Sequence, residues 1–204
     1  MLVSRPTLPW TKTGFTLVEL LTGLAILSVL VSVGAGVKAG LDRRVLESRA
    51  RAELTLLAQV LESYAYAYGD YPWTGDCPPL SLSTLGDGVV NPDAAEVKLF
   101  NALMGRLNPQ LQRFSGAVRL EVARFSLLHS VPEGNSFEGE ALSALLDPWG
   151  RPYVYQYRGR SEAKWRLKGY VLYSKGPDGL DTPGMEGNFD ENLEPNLDNV
   201  YPPR

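Results

Sequence analysis

The residues equipped for chemistry in this chain are few, and their positions sort them. One carboxylate, Glu19, lies in the stretch Gly14-Phe15-Thr16-Leu17-Val18-Glu19-Leu20-Leu21, at the mouth of an apolar run. Residues 20–37, eighteen in all, pass without a charge, and no proline follows until Pro72. Such a run is long enough to span the apolar part of a bilayer as a helix, about 20 residues being typical. An ionisable group costs on the order of 2.5–3.5 kcal/mol at the centre of such a helix and less near its end, so Glu19 calls for a partner. His129 is the only histidine and Cys77 the only cysteine. With no second histidine or carboxylate cluster beside it, His129 lacks the company that catalysis or zinc requires. Cys77 has no intrachain disulfide partner and reads as a buried thiol. The remaining concentration of polar chemistry is C-terminal. Residues 176–204 carry seven acids, four asparagines and one basic side chain. That segment either stays disordered or folds around something that neutralises it. Calcium is the natural candidate, because it takes six to eight oxygen ligands, although Asp178-Gly179-Leu180-Asp181 lacks the ligand spacing of an EF-hand.

The elements that must position these groups can be read in turn. Leu41, Val45, Ala50, Leu54, Leu57, Leu61, Tyr64 and Tyr68 recur mostly at three and four, so the apolar helix is expected to continue to about Tyr68. Arg43 with Glu47 and Arg49 with Glu53 are i, i+4 pairs expected on its outer faces. A single helix from Phe15 to Tyr68 would be roughly 80 Å long, apolar all round in its first half and amphipathic in its second. Gly23, Gly34, Gly36 and Gly40 weaken the first half and permit close helix–helix approach. Gly69-Asp70-Tyr71-Pro72 supplies the C-terminal stop. Residues 93–107 read as a second helix, and Val118, Leu120 and Val122 alternate as a strand. Asp147-Pro148-Trp149-Gly150-Arg151-Pro152 makes a rigid turn around an aromatic anchor. Tyr153, Tyr155 and Tyr157 then alternate as one strand, residues 165–174 form another, and the polar stretch between them makes an antiparallel hairpin. One face of that hairpin is expected to pack on the amphipathic half of the long helix.

The leader ending in Gly14, the Phe15 that follows it and Glu19 together resemble the signal of type IV pilins and type II secretion pseudopilins. The steps Tyr71-Pro72, Asp147 to Pro152 and Leu172-Tyr173-Ser174-Lys175-Gly176-Pro177-Asp178-Gly179 resemble the major pseudopilin of type II secretion. The resemblance covers residues 14–72 and 147–179 and leaves the middle unmatched. It implies an α+β, pilin-like fold, a long N-terminal helix packed on a small antiparallel sheet. It divides the chain into a cleaved leader (1–14), a transmembrane and filament-core helix (15–40), an amphipathic continuation (41–72), a variable inserted region (73–146), and a hairpin with an acidic loop (147–204). A prepilin peptidase on the cytoplasmic face would cut after Gly14 and methylate the amine of Phe15. Glu19 of a neighbouring subunit would neutralise that amine during assembly. The resemblance also implies one calcium ion in the C-terminal loop, with Asp178 and Asp198 as matching ligands and Asp181 and Asp190 as substitutes.

The function so implied is structural, a pseudopilus subunit that drives protein secretion and catalyses nothing. The alternatives are a type IV pilin or minor pseudopilin for adhesion or DNA uptake, and a membrane-tethered periplasmic binding module or enzyme hidden in residues 74–146. A secretory signal would put its cut after the apolar run and leave the leader unexplained. Loss of the leader removes Arg5 and Lys12 and takes the side-chain charge from −3 to −5, a balance that argues against a nucleic-acid partner. The implied partners are other copies of the chain, the prepilin peptidase, minor pseudopilins, the inner-membrane secretion platform and its assembly ATPase. The implied location is the inner membrane, single-pass, with the C-terminal domain periplasmic. Lys38, Arg43 and Arg44 follow the apolar run as Arg5 and Lys12 precede it, so charge bias leaves the orientation undecided and the peptidase's cytoplasmic access carries it. The lone cysteine excludes the C-terminal disulfide loop of many type IV pilins and leans toward a pseudopilin.

Overall fold

A 52-residue helix, α1 (Leu17–Tyr68), dominates the chain, and everything after it is short. The computed structural model describes residues 16–80, 90–130, 141–159, 169–182 and 190–203, with side-chain surroundings inside α1 described outside 30–41. After α1 come α2 (Ala95–Leu103), β1 (Ser126–Leu127), β2 (Leu145–Leu146), β3 (Val154–Gln156) and β4 (Val171–Tyr173), in an α+β architecture. The two sheets are both antiparallel pairs, β1 with β2 and β3 with β4. The chain divides into two units, Met1–Asp42 and Arg43–Arg204.

In the first unit α1 starts where the sequence supplies its own cap, at Thr16. The hydroxyl of Thr22 donates to the Val18 carbonyl at 2.9 Å and that of Ser28 to the Ala25 carbonyl at 2.8 Å, so these two polar side chains are satisfied within the helix. The described apolar side chains from Leu17 to Val29 are all exposed. Among the described residues no helix is long and apolar enough to cross a membrane. The run whose side chains are described, 17–29, is shorter than the roughly 20 residues a span takes.

In the second unit α1 buries one stripe. Ala50, Leu54, Leu57, Leu61 and Tyr64 are fully buried, at the alternating spacing of four and three that keeps them on one face. Val45 was expected on this stripe and is instead 64 % exposed, because the first core contact of the helix comes at Ala50. Gly69, at φ +86°, closes α1 through its N–H on the Ala65 carbonyl at 2.8 Å, as the sequence predicts.

The expected antiparallel pair forms, shorter than its sequence suggests, with Val154 opposite Tyr173 and Gln156 opposite Val171, while 160–168 lie outside the described residues. Its tyrosines fasten it to α1 and to the turn beyond. Tyr153, Tyr155 and Tyr157 are buried, and their hydroxyls donate to Glu53 at 2.6 Å, the Pro72 carbonyl at 3.0 Å and Asp70 at 2.7 Å. Glu53 is therefore not the solvated partner that its spacing from Arg49 suggests. It is 4 % exposed and holds Arg49 at 2.6 Å with one oxygen and Tyr153 with the other. Arg43 and Glu47 make the expected surface pair at 2.9 Å.

Described parts of the 73–146 stretch enter the same core, to which α2 contributes Phe100 and Leu103 and the loop beyond it Leu107. The second helix is shorter than expected, Ala95–Leu103 rather than 93–107. It stops because Gly105 adopts φ +73° with its backbone against the carbonyls of Gly116 and Ala117, where a Cβ would not fit. The strand expected at Val118, Leu120 and Val122 is absent. The Ala117 N–H goes to the Tyr68 hydroxyl and the Arg119 N–H to the end of α2 at Leu103, which leaves no ladder to join. A 3-10 turn, Val122–Arg124, follows instead.

Candidate functional site

Two places carry the sequence-predicted residues: the start of α1 and the C-terminal loop. At the first, the Thr16 hydroxyl and N–H donate to one oxygen of Glu19 at 2.8 and 3.0 Å, and the Glu19 N–H donates back to the Thr16 hydroxyl at 3.3 Å. This reciprocal arrangement is a capping box, which satisfies backbone donors that the first helical turn cannot pair internally. Glu19 thus has a partner inside its own chain. Thr16 escaped the sequence reading, although the Thr-x-x-Glu spacing that reveals it was in plain view. Gly14 and Phe15, the expected cleavage and methylation positions, lie outside the described residues.

At the C-terminal end, the two stretches singled out by resemblance meet. Asp147, 1 % exposed, accepts the N–H groups of Trp149 at 3.0 Å and Arg151 at 2.9 Å with one oxygen. Its other oxygen takes the hydroxyl of fully buried Ser174 at 2.5 Å. Arg151 then reaches the opposite loop, donating to the carbonyls of Gly176 at 2.6 Å and Pro177 at 3.3 Å. Gly176, at φ +63°, passes so close to the Asp198 carbonyl that a Cβ would collide with it. A bridge between Ser174 and Val200 ties the acidic tail to the edge of the hairpin. Asp147 and Arg151 thus fix the loop from which the tail departs.

Asp178 and Asp198, the expected calcium ligands, and Asp181 and Asp190, their substitutes, fall in three places. Asp178 and Asp198 come together, the Asp178 N–H donating to the Asp198 carboxylate at 3.3 Å. Asp181 is held elsewhere, by Lys175 at 2.9 Å and the Tyr173 hydroxyl at 2.7 Å. Burial, and then that bond to Asp181, pushes the Tyr173 hydroxyl well above its ordinary range. Asp190 accepts the N–H of Asn192 at 2.9 Å in a local turn. Among the described residues no three histidine, cysteine or acidic side chains converge as a metal site. Asp178 and Asp198 offer the hard carboxylate oxygens that calcium takes, but one Asp178 oxygen already accepts the Leu180 N–H at 2.7 Å and Arg151 occupies the Gly176 and Pro177 carbonyls, while Asp181 is paired with Lys175. His129 is exposed and meets Ser143 only through its backbone. Cys77 is half-buried, and burial raises its thiol above the ordinary value, which works against reactivity.

Glu96, on α2, lies 7 % exposed and accepts the Leu80 N–H at 2.8 Å. Burial pushes its carboxyl up, the Leu80 hydrogen bond and Lys175 pull it back, and Asp181 adds to the rise.

Neither a curated protein nor a solved structure matches the chain. Residues 11–35 match the prokaryotic N-terminal methylation motif, so the Thr16–Glu19 cap sits inside a type IV pilin-like prepilin signal.

Proposed function

We propose that the chain is a structural subunit of a type II secretion pseudopilus. A prepilin peptidase cuts after Gly14, Phe15 is methylated, and the processed chains assemble from the inner membrane through helices spanning 15–40. The observation that carries this reading is the methylation motif at 11–35, with a capped helix beginning two residues after the expected cut. The motif is common to pilin-like proteins, so the finer assignment leans on the resemblance of 147–179 and on the single cysteine. In this reading an assembly ATPase and an inner-membrane platform supply the work, minor pseudopilins start the fibre, and the second unit faces the periplasm. Calcium belongs to the proposal only at Asp178 and Asp198.

The test is processing. Mass spectrometry of the membrane-extracted protein should find an N-terminus at Phe15 bearing one added methyl group. An intact leader beginning at Met1, or a cut beyond Val37, overturns the reading.

A further inference from the structure

We infer that a groove on the second unit takes the 193–197 loop of another copy of this chain, an inference that rests on the filament reading above. The groove, about 290 Å³, runs between α1 and the 119–125 segment. Leu56, Val60 and Phe125 make its apolar floor, and Arg119, Glu121 and Arg124 stand along it. Arg119 is held in place by its bond to the Ser63 hydroxyl at 2.9 Å and by lying over the Tyr68 ring at 5.1 Å. Its Nε is buried and has no acceptor among the described residues. Arg124 pairs with Glu121, but both side chains are more than half exposed, so water weakens that pair and leaves it ready to exchange partners. The groove therefore carries two guanidinium groups against one carboxylate, above an apolar floor.

The proposed occupant has the complementary character. Asn196 is fully buried and pins its loop, donating to the Asp190 carbonyl at 2.7 Å and accepting the Thr182 N–H at 2.8 Å. The Tyr201 hydroxyl reaches the Asn196 carbonyl at 3.2 Å. So anchored, the loop holds Leu193 at 43 % and Leu197 at 68 % exposure, with exposed Glu194 between them. Two leucines held out on a fixed loop around a carboxylate match an apolar floor beside arginines in both hydrophobicity and charge. Groove and loop are different patches of one molecule. A contact between unlike patches is heterologous, and unless its rotation closes into a ring it propagates as an open helical filament. That is the geometry a pseudopilus requires.

The test uses full-length chains carrying Cys77→Ser, one with Arg124→Cys and one with Glu194→Cys, distinguishably tagged and made together in cells that assemble the fibre. Oxidation should give a mixed disulfide dimer only when both chains are present. As a second measurement, Arg124→Glu should lower the sheared-fibre yield about tenfold or more, since it sets like charges against each other. Glu194→Arg in the same chain should restore most of it. Fibres without the mixed dimer and without charge-swap rescue overturn the groove and leave the proposed function standing. A dimer from Arg124→Cys alone also overturns it, because groove would then meet groove. Correctly processed chains that form no fibre defeat the filament reading and this inference with it.

Discussion

Removing the Asp147 carboxylate is the sharpest stability test of the C-terminal joint. Asp147→Ala strands three donors at once: the buried Ser174 hydroxyl and the partly accessible N–H groups of Trp149 and Arg151. A hydrogen bond to a charged group is worth about 1.5–3 kcal/mol, and the bond from Ser174 is fully enclosed, so it belongs toward the upper half of that range. The two N–H groups lie where water can reach in part, which lowers their share to roughly 0.5–1 kcal/mol each. The loss should be about 3–5 kcal/mol. Asp147→Asn keeps an acceptor for both N–H groups and lets the Ser174 hydroxyl turn to accept, so it should cost only about 1–2 kcal/mol. At about 2–4 °C per kcal/mol for a domain of this size, the alanine variant should melt roughly 6–20 °C below wild type. Urea unfolding of the detergent-extracted chain, followed by tyrosine and tryptophan circular dichroism, would measure both variants, with an unchanged m-value expected. A double-mutant cycle with Ser174→Ala should return about 1–2 kcal/mol of coupling. An alanine variant within about 1 kcal/mol of wild type, or an asparagine variant equal to alanine, would refute the assignment of Asp147 as the acceptor that joins the two loops.

Three further perturbations separate ideas that the geometry brings into contact. Glu19→Gln retains a capping box, since glutamine serves at that position as well as glutamate, but loses the charge. If pairing with a neighbour's amine governs assembly, Gln and Ala variants both process normally and neither forms fibres; a glutamine variant that assembles like wild type would reduce Glu19 to a cap worth about 1 kcal/mol. Glu96 has a folded-state pKa raised above its ordinary value of 4.5, so the folded state keeps the proton longer than the unfolded state does. Its contribution is present below pH 4.5 and is lost as pH rises through the raised value. Glu96→Gln should therefore gain stability over wild type as pH is raised from 4.5 toward neutrality; parallel stability curves would disprove the burial cost. Calcium should raise the melting temperature through Asp178 and Asp198, with Asp181→Asn keeping the gain, and a melting temperature indifferent to calcium and to chelator would remove the ion from the proposal.

What the sequence disclosed, and what it concealed, follows from the range of the forces involved. The lower half of α1 was legible because burial on one face imposes a period, and Ala50, Leu54, Leu57, Leu61 and Tyr64 obey it. Val45 obeys the same period and is exposed, since a repeat gives a face but not the point at which another element begins to cover it. The tyrosine hairpin was legible for the same reason at period two. At 118–122 that alternation misled, because a strand also needs a neighbour with free backbone groups. The Arg119 N–H is instead taken by the end of α2, and that of Ala117 just before the stretch by the Tyr68 hydroxyl. The acidic tail shows the deeper limit. Composition counts acids but not their nearest cations, and Lys175, only six positions before Asp181, withdraws that carboxylate from any shared site.

Thr16 is the opposite case, a short-range signal hidden behind a long-range one. A reading that treats Glu19 as a charge stranded in an apolar helix looks outward, to another subunit, for its partner. A reading of four consecutive residues finds the partner at once, in the hydroxyl and N–H of Thr16. The two can act in succession. An internal cap lowers the cost of carrying a carboxylate at the mouth of an apolar run before assembly. A positive amine released at Phe15 would then compete for the same oxygen, with the stronger charge-assisted bond favoured as surrounding water is excluded. On that account Thr16 holds Glu19 in waiting. Loss of Thr16 should therefore impair the capped precursor before it impairs any fibre already formed.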